Sequence, residues 1–186
     1  QKDIPPDVRA ALRRAAERES SEVGRRVLTT MLKAMDVADE HRTLVCQDTG
    51  IPIFWVTIGR GFLLDGVRLQ EALRAGVEAA TREHPLRSSI VSPITRRNRQ
   101  TSSGVGVPVF HIEFSPEIDY LDILHMPKGS GSETMSFLKM LYPADGVAGI
   151  KKFVLDTVVE AGGKPCPPTI VGVGVGGSSD LCMTLA

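Results

Sequence analysis

The sequence predicts a mixed α/β domain, and three patterns carry that prediction. Val23, Val27, Leu28, Met31, Leu32 and Met35 recur at helical spacing in the N-terminal part. Phe110, Ile112 and Phe114 alternate with His111 and Glu113, as in a half-buried strand. Near the C-terminus, Thr169-Ile170-Val171-Gly172-Val173-Gly174-Val175-Gly176-Gly177 reads as a buried strand entering a glycine turn, with Ser178, Ser179 or Asp180 placed to cap a helix after it. The expected architecture therefore has a helical N-terminal part, at least one antiparallel strand pair and a C-terminal strand–Gly turn–helix.

Each element has a local reason. Pro6 is placed to start a helix over Asp7 to Arg18, and Ser20 or Ser21 can cap the second, with Glu22 in its first turn. His41 to Gly50 is a loop. Ile53 to Ile58 is an aromatic and β-branched run closed by Gly59, hence a strand. Leu69, Leu73, Val77 and Ala80 predict a third helix that stops near His84-Pro85. Arg87 to Gly106 is polar and aperiodic, a candidate binding or lid loop. Ser115-Pro116-Glu117 is a turn signal after the Phe110 strand, so Tyr120 to Met126 is expected to pair with that strand antiparallel. Val147, Ile150, Val154 and Val158 mark a helix ending at Gly162-Gly163.

Composition narrows the function classes. With 186 residues, 42% hydrophobic and 24% charged, the chain can bury a core and has the make-up of an ordinary soluble domain. Lys plus Arg equals Asp plus Glu, 22 against 22, so no global field points to nucleic acid or a membrane surface. No apolar run approaches the roughly 18 residues that span a bilayer, and no signal-peptide pattern opens the chain, so a cytoplasmic location is expected. Three widely spaced cysteines argue against a secreted disulfide framework. The chain opens without Met and stops in an apolar helical stretch, Leu181 to Ala186; the expectation is one domain over 1–186, incomplete at its C-terminus.

Cys46-Gln47-Asp48-Thr49-Gly50 packs a thiol, an amide, a carboxylate, a hydroxyl and a glycine just before a predicted strand. Asp48 beside Gln47 offers a proton acceptor and a group that can orient a substrate oxygen; a turn aspartate bonding its own backbone is the competing reading. Cys46 and Cys166 both precede predicted strands and lack a Cys-x-x-Cys partner, a layout that suits a cluster and not a zinc ribbon, with packing as the alternative. Cys182 lies between Leu181 and Met183, where burial is favoured. Arg87 could clamp a carboxylate or simply be solvated, and the same choice applies to Arg96, Arg97 and Arg99. Lys128-Gly-Ser-Gly-Ser lacks P-loop spacing, but its N–H groups could cup a carboxylate. Gly172-x-Gly174-x-x-Gly177 fits a dinucleotide fingerprint, which keeps a nucleotide-binding domain open as an alternative function.

Taken in order, Val45-Cys-Gln-Asp-Thr-Gly50, His84-Pro-Leu-Arg87, Lys128-Gly-Ser-Gly-Ser-Glu133, Lys151-Lys-Phe-Val154 and Cys166-Pro-Pro-Thr-Ile-Val-Gly-Val-Gly-Val-Gly-Gly177 resemble the class I fumarase and L-tartrate dehydratase α subunits, from Ser20 to the end of the chain. The resemblance implies an oxygen-sensitive hydro-lyase acting on a four-carbon dicarboxylate, with fumarate to malate ahead of L-tartrate. It implies a [4Fe-4S] cluster on three thiolates, one iron left open as a Lewis acid. Cys46 and Cys166 would be cluster ligands, and Gln47, Asp48, Arg87 and Gly129 would line the substrate pocket with Asp48 as acid/base. The family's third ligand lies further along than residue 186, so Cys182 is not assigned that role. The resemblance further implies a β subunit or C-terminal domain that completes the site, a homo- or hetero-oligomer, and little activity in this chain alone.

Overall fold

The computed structural model describes residues 4–186. Its elements run α1 (Pro6–Arg18), α2 (Glu22–His41), β1 (Ile51–Gly59), α3 (Gly66–Glu83), β2 (Val109–Ser115), β3 (Leu121–Lys128), α4 (Ser130–Glu133), a 3₁₀ turn (Pro143–Asp145), α5 (Gly146–Ala161) and α6 (Ser179–Leu185). They divide into two compact units, Ala38–Ser130 and a second made of residues up to Val37 together with Gly131–Ala186.

The first unit is built on β1, whose Ile-Pro-Ile-Phe-Trp-Val-Thr-Ile run has the strongest strand character in the chain. A strand this apolar is stable only when both of its edges find partners, and the sheet order is β2-β1-β3, parallel to β2 and antiparallel to β3. Tyr120 to Met126 is thus an antiparallel strand as expected, but its partner is β1 and not the Phe110 strand. The five residues between β2 and β3 carry it across β1 instead of closing a hairpin. Pro52 is tolerated in the central strand because β2 pairs only from Ile53 onward and β3 opposes it with Pro127. The register also stacks rings: Phe54 lies 5.7 Å from Phe110 and 4.6 Å from His125, and Trp55 lies 5.1 Å from His111.

α3 returns the chain from β1 to β2. Asp65 caps it, accepting from the Val67 N–H at 3.0 Å and the Arg68 N–H at 3.2 Å. Such a cap contributes about 1 kcal/mol.

The second unit is helical among the described residues. Leu12 of α1 and Met35 of α2 are buried, and Arg9 pairs with Asp36 across the same two helices. α5 ends as its sequence predicts, at Gly162 with φ +53. The expected C-terminal strand differs: residues 169–175 pair with no strand, and Ile170, Val171, Val173 and Val175 are exposed. The alternating glycines explain this. A Cβ on Gly172 or Gly174 would overlap the carbonyl oxygens of Ala186 and Cys182, so the segment packs its glycine side against the backbone of α6. The glycine turn and helix do follow, with Ser178 at the N-cap position.

Among the described residues, no helix is long and apolar enough to cross a membrane.

Candidate active site

β1 begins and β3 ends at one pair, Ile51 opposite Lys128. That register lays the incoming segment 46–50 beside the outgoing segment 128–130. The close approach depends on Gly50, which has φ +74 and whose Cβ, if present, would lie 2.7 Å from the Gly129 nitrogen and closer still to the Lys128 carbonyl.

The approach fixes Asp48. Its Oδ2 accepts from the Ser130 N–H at 3.2 Å and from the Ser130 hydroxyl at 3.4 Å, while Oδ1 accepts from the Ser89 hydroxyl at 3.5 Å. Donors on both oxygens match the ionised carboxylate, which has acceptors only. On the other flank the Arg87 N–H donates to the Gln47 carbonyl at 3.0 Å, and Asp48 and Arg87 form a parallel bridge. Paired residues in such a bridge put their side chains on the same face. The Asp48 and exposed Arg87 side chains therefore leave the backbone on the same face. This set can bind one acidic group and exchange a proton with its neighbour.

Behind Arg87, the segment 87–106 has no regular structure but is closely held. Ser88 donates to Asn98 Oδ1 at 3.0 Å, Asn98 Nδ2 donates to the Ser88 carbonyl at 2.7 Å, and the Ser102 N–H donates to Ser88 Oγ at 3.1 Å. From α3, Arg74 donates to the carbonyls of Gly104 (3.1 Å) and Val107 (2.7 Å), and Glu78 accepts from the Ser103 hydroxyl at 2.6 Å. Arg96, Gln100 and Ser102 all have positive φ, a conformation that costs an L-residue roughly 1–2 kcal/mol. The bonds to Ser88 and α3 offset that strain. Of the two expectations for this loop, binding or lid, the network suits a loop held in place more than a lid.

In the Lys128-Gly-Ser-Gly-Ser loop the Ser130 N–H is turned to a carboxylate, that of Asp48 in the same unit. Ser88, Ser89 and Asn98, which lie outside the site motifs, carry this arrangement together with Ser130 of the Lys128-Gly-Ser-Gly-Ser motif. Ser88-Ser89 directly after Arg87 was the available signal.

The fumarate hydratase family model (Fumerase) matches residues 1–186. The chain belongs to the fumarate hydratase family. It is similar to the "Putative L(+)-tartrate dehydratase subunit alpha" of Methanocaldococcus jannaschii, 44% identical over 98% of this chain and 65% of that protein. It is also similar to the L(+)-tartrate dehydratase subunit alpha of Escherichia coli K12 and to that of Shigella boydii, each 33% identical over 98% of this chain and 60% of the relative. The chain thus spans less than two thirds of the length of these relatives.

Within this fumarate hydratase family chain, the thiols divide by environment. Cys46 and Cys166 are exposed and outside any disulfide; Cys46 lies in the first unit and Cys166 in the second. The Asp48 N–H donates to Cys46 Sγ at 3.4 Å. Cys182 is half-buried and its Sγ donates to the Gly174 carbonyl at 3.1 Å, as a packed thiol does. Among the described residues, no group of three or more His, Cys, Asp or Glu is assembled to hold a metal ion.

The dinucleotide fingerprint lacks its frame. The second unit has no strand among the described residues, so Gly172 to Gly177 does not sit at the end of a parallel sheet, and all three fingerprint glycines lie against α6 or its C-cap Ala186.

Proposed function

We propose that this chain is part of the α subunit of an iron-sulfur hydro-lyase that adds water to, or removes it from, a four-carbon dicarboxylate, with fumarate to malate as the leading reaction. The observation that carries the reading is the backbone bridge between Asp48 and Arg87, which sets a carboxylate held by Ser130 and Ser89 and an arginine side chain on one face. Arg87 binds one substrate carboxylate by two parallel N–H donors. Asp48 takes or returns the proton on the carbon next to the departing hydroxyl. Gln47 orients a substrate oxygen, and Gly129, without a side chain, lets substrate approach the end of β3. Cys46 and Cys166 would be two of three thiolates holding a [4Fe-4S] cluster, which when bound supplies Lewis acidity for the leaving hydroxyl.

The relatives named as tartrate dehydratase α subunits favour a second substrate, L-tartrate, on the same residues. Their naming as α subunits also supports a partner β subunit for this protein. A cytoplasmic location fits a reduced cluster.

The test is anaerobic reconstitution of the full-length subunit and its partner with iron and sulfide, followed by assays on fumarate and L-tartrate. Wild-type protein is expected to turn over at least one of the two, and Cys46→Ser to lose both cluster absorbance and activity. Full activity in Cys46→Ser would sink the reading.

A further inference from the structure

Ser88 separates the two residues that flank the Asp48 carboxylate. In extended backbone, neighbours alternate sides. Arg87 is bridged to Asp48 and Ser89 reaches its Oδ1, while Ser88 turns the other way, into the loop, where it is buried. There its hydroxyl donates to Asn98 Oδ1 (3.0 Å) and accepts the Ser102 N–H (3.1 Å), and its carbonyl accepts from Asn98 Nδ2 (2.7 Å). Every polar atom of Asn98's side chain is used, since Oδ1 also accepts the Gln100 N–H at 2.8 Å. Asn98 itself is delivered by a turn closed by the Ser92 N–H to the Arg97 carbonyl (3.0 Å) and by an antiparallel bridge to Val91.

We propose that Asn98 and Ser88 form a latch that positions Arg87 and Ser89 against Asp48, making them positioning residues for the substrate carboxylate; the inference rests on the hydro-lyase reading above. Two bonds from one amide fix both the side chain and the carbonyl of Ser88. The Ser88–Ser89 peptide then cannot rotate, which fixes Ser89 and, together with the Arg87 N–H bond to the Gln47 carbonyl, the backbone from which the Arg87 side chain departs. Neither Asn98 nor Ser88 touches substrate in this scheme. Loosening the latch therefore weakens mainly the hold on the substrate carboxylate, because Asp48 keeps the Ser130 N–H and hydroxyl on its Oδ2.

The experiment uses the reconstituted full-length enzyme with its partner. Asn98→Ala is expected to raise KM about fivefold or more with kcat within about threefold, the signature of lost binding that is equal in ground and transition states. Arg87→Ala is expected to lower kcat/KM about 10- to 100-fold, as loss of a charge-assisted pair does. In the Arg87→Ala background, Asn98→Ala should add less than twofold, because residues that act through one another are not additive. Ser88→Ala should reproduce the KM effect and Ser88→Thr, which keeps the hydroxyl, should restore it; this pair carries the test if Asn98→Ala does not fold. An Asn98→Ala effect that multiplies fully with Arg87→Ala, or that falls on kcat at constant KM, overturns the latch and leaves the hydro-lyase reading standing. A wild-type KM and kcat/KM in Arg87→Ala alone overturns the assignment of Arg87 itself, and the latch falls with it.

Discussion

Gly50→Ala perturbs the turn into β1 in two separable ways. Gly50 has φ +74, which costs an alanine about 1–2 kcal/mol. Its new Cβ would also overlap the Lys128 carbonyl and lie 2.7 Å from the Gly129 nitrogen, both backbone atoms that cannot rotate away. Forced overpacking of this kind costs about 1–3 kcal/mol. Reduced freedom of the unfolded chain returns about 0.4–1 kcal/mol, for a net loss of roughly 1.5–4 kcal/mol. Gly61 supplies the control, having the same φ of +74 but nothing within 4 Å of its Cβ, so Gly61→Ala isolates the backbone term. Urea unfolding followed by fluorescence of Trp55, the sole tryptophan and a β1 residue, reads both variants in the same unit. With a slope of about 2 kcal/mol per molar urea, Gly50→Ala should lower the midpoint by about 1–2 M and Gly61→Ala by well under 1 M. Equal midpoints for the two would refute the claim that the Gly50 approach to Lys128–Gly129 holds the site together.

Asp48→Asn, which keeps the size of the side chain but removes its capacity to take a proton, should lower kcat by about 10²- to 10⁴-fold with little change in melting temperature. Arg74→Ala removes the charged donor from the Gly104 and Val107 carbonyls, leaving each only the other residue's N–H, and should cost about 1–3 kcal/mol by thermal unfolding. His125 stacks on Phe54, and burial lowers its pKa from the ordinary 6.5. The unfolded chain therefore binds a proton first as pH falls: stability is full above about 6.5 and declines as pH drops below it. His125→Phe keeps the stacking and should flatten that decline in unfolding curves taken between about pH 5 and 7.5.

The helices and β1 were legible because their causes are local: apolar spacing, a proline at an N-terminus, glycines at C-caps. Strand partnership was not. Tyr120 to Met126 follows β2 after a short turn, and adjacency alone argues for a hairpin. What decides otherwise is the demand of β1, 63 residues earlier in the chain by the register of Ile58 with Leu121, for partners on both edges. The Val-Gly alternation at 171–175 shows the opposite failure. It has the period of a strand, but a side that consists of glycines can pack on the backbone of α6 as readily as it can face another sheet residue.

The same distinction governs the site. Gln47, Asp48 and Arg87 were each visible as residue types, and each had an ordinary reading as a turn residue or a solvated cation. Nothing within a few positions of Asp48 separates those readings, because the groups that bind its carboxylate lie 41 and 82 positions away, at Ser89 and Ser130. A turn aspartate satisfies itself on its own backbone. Asp48 instead collects donors from two distant segments, each brought in by a pairing that serves the sheet: Ile51 with Lys128 on one flank and Asp48 with Arg87 on the other. Because the same backbone contacts that align the strands also aim the carboxylate, a substitution such as Gly50→Ala should lower stability and catalysis together, whereas Asp48→Asn should separate them.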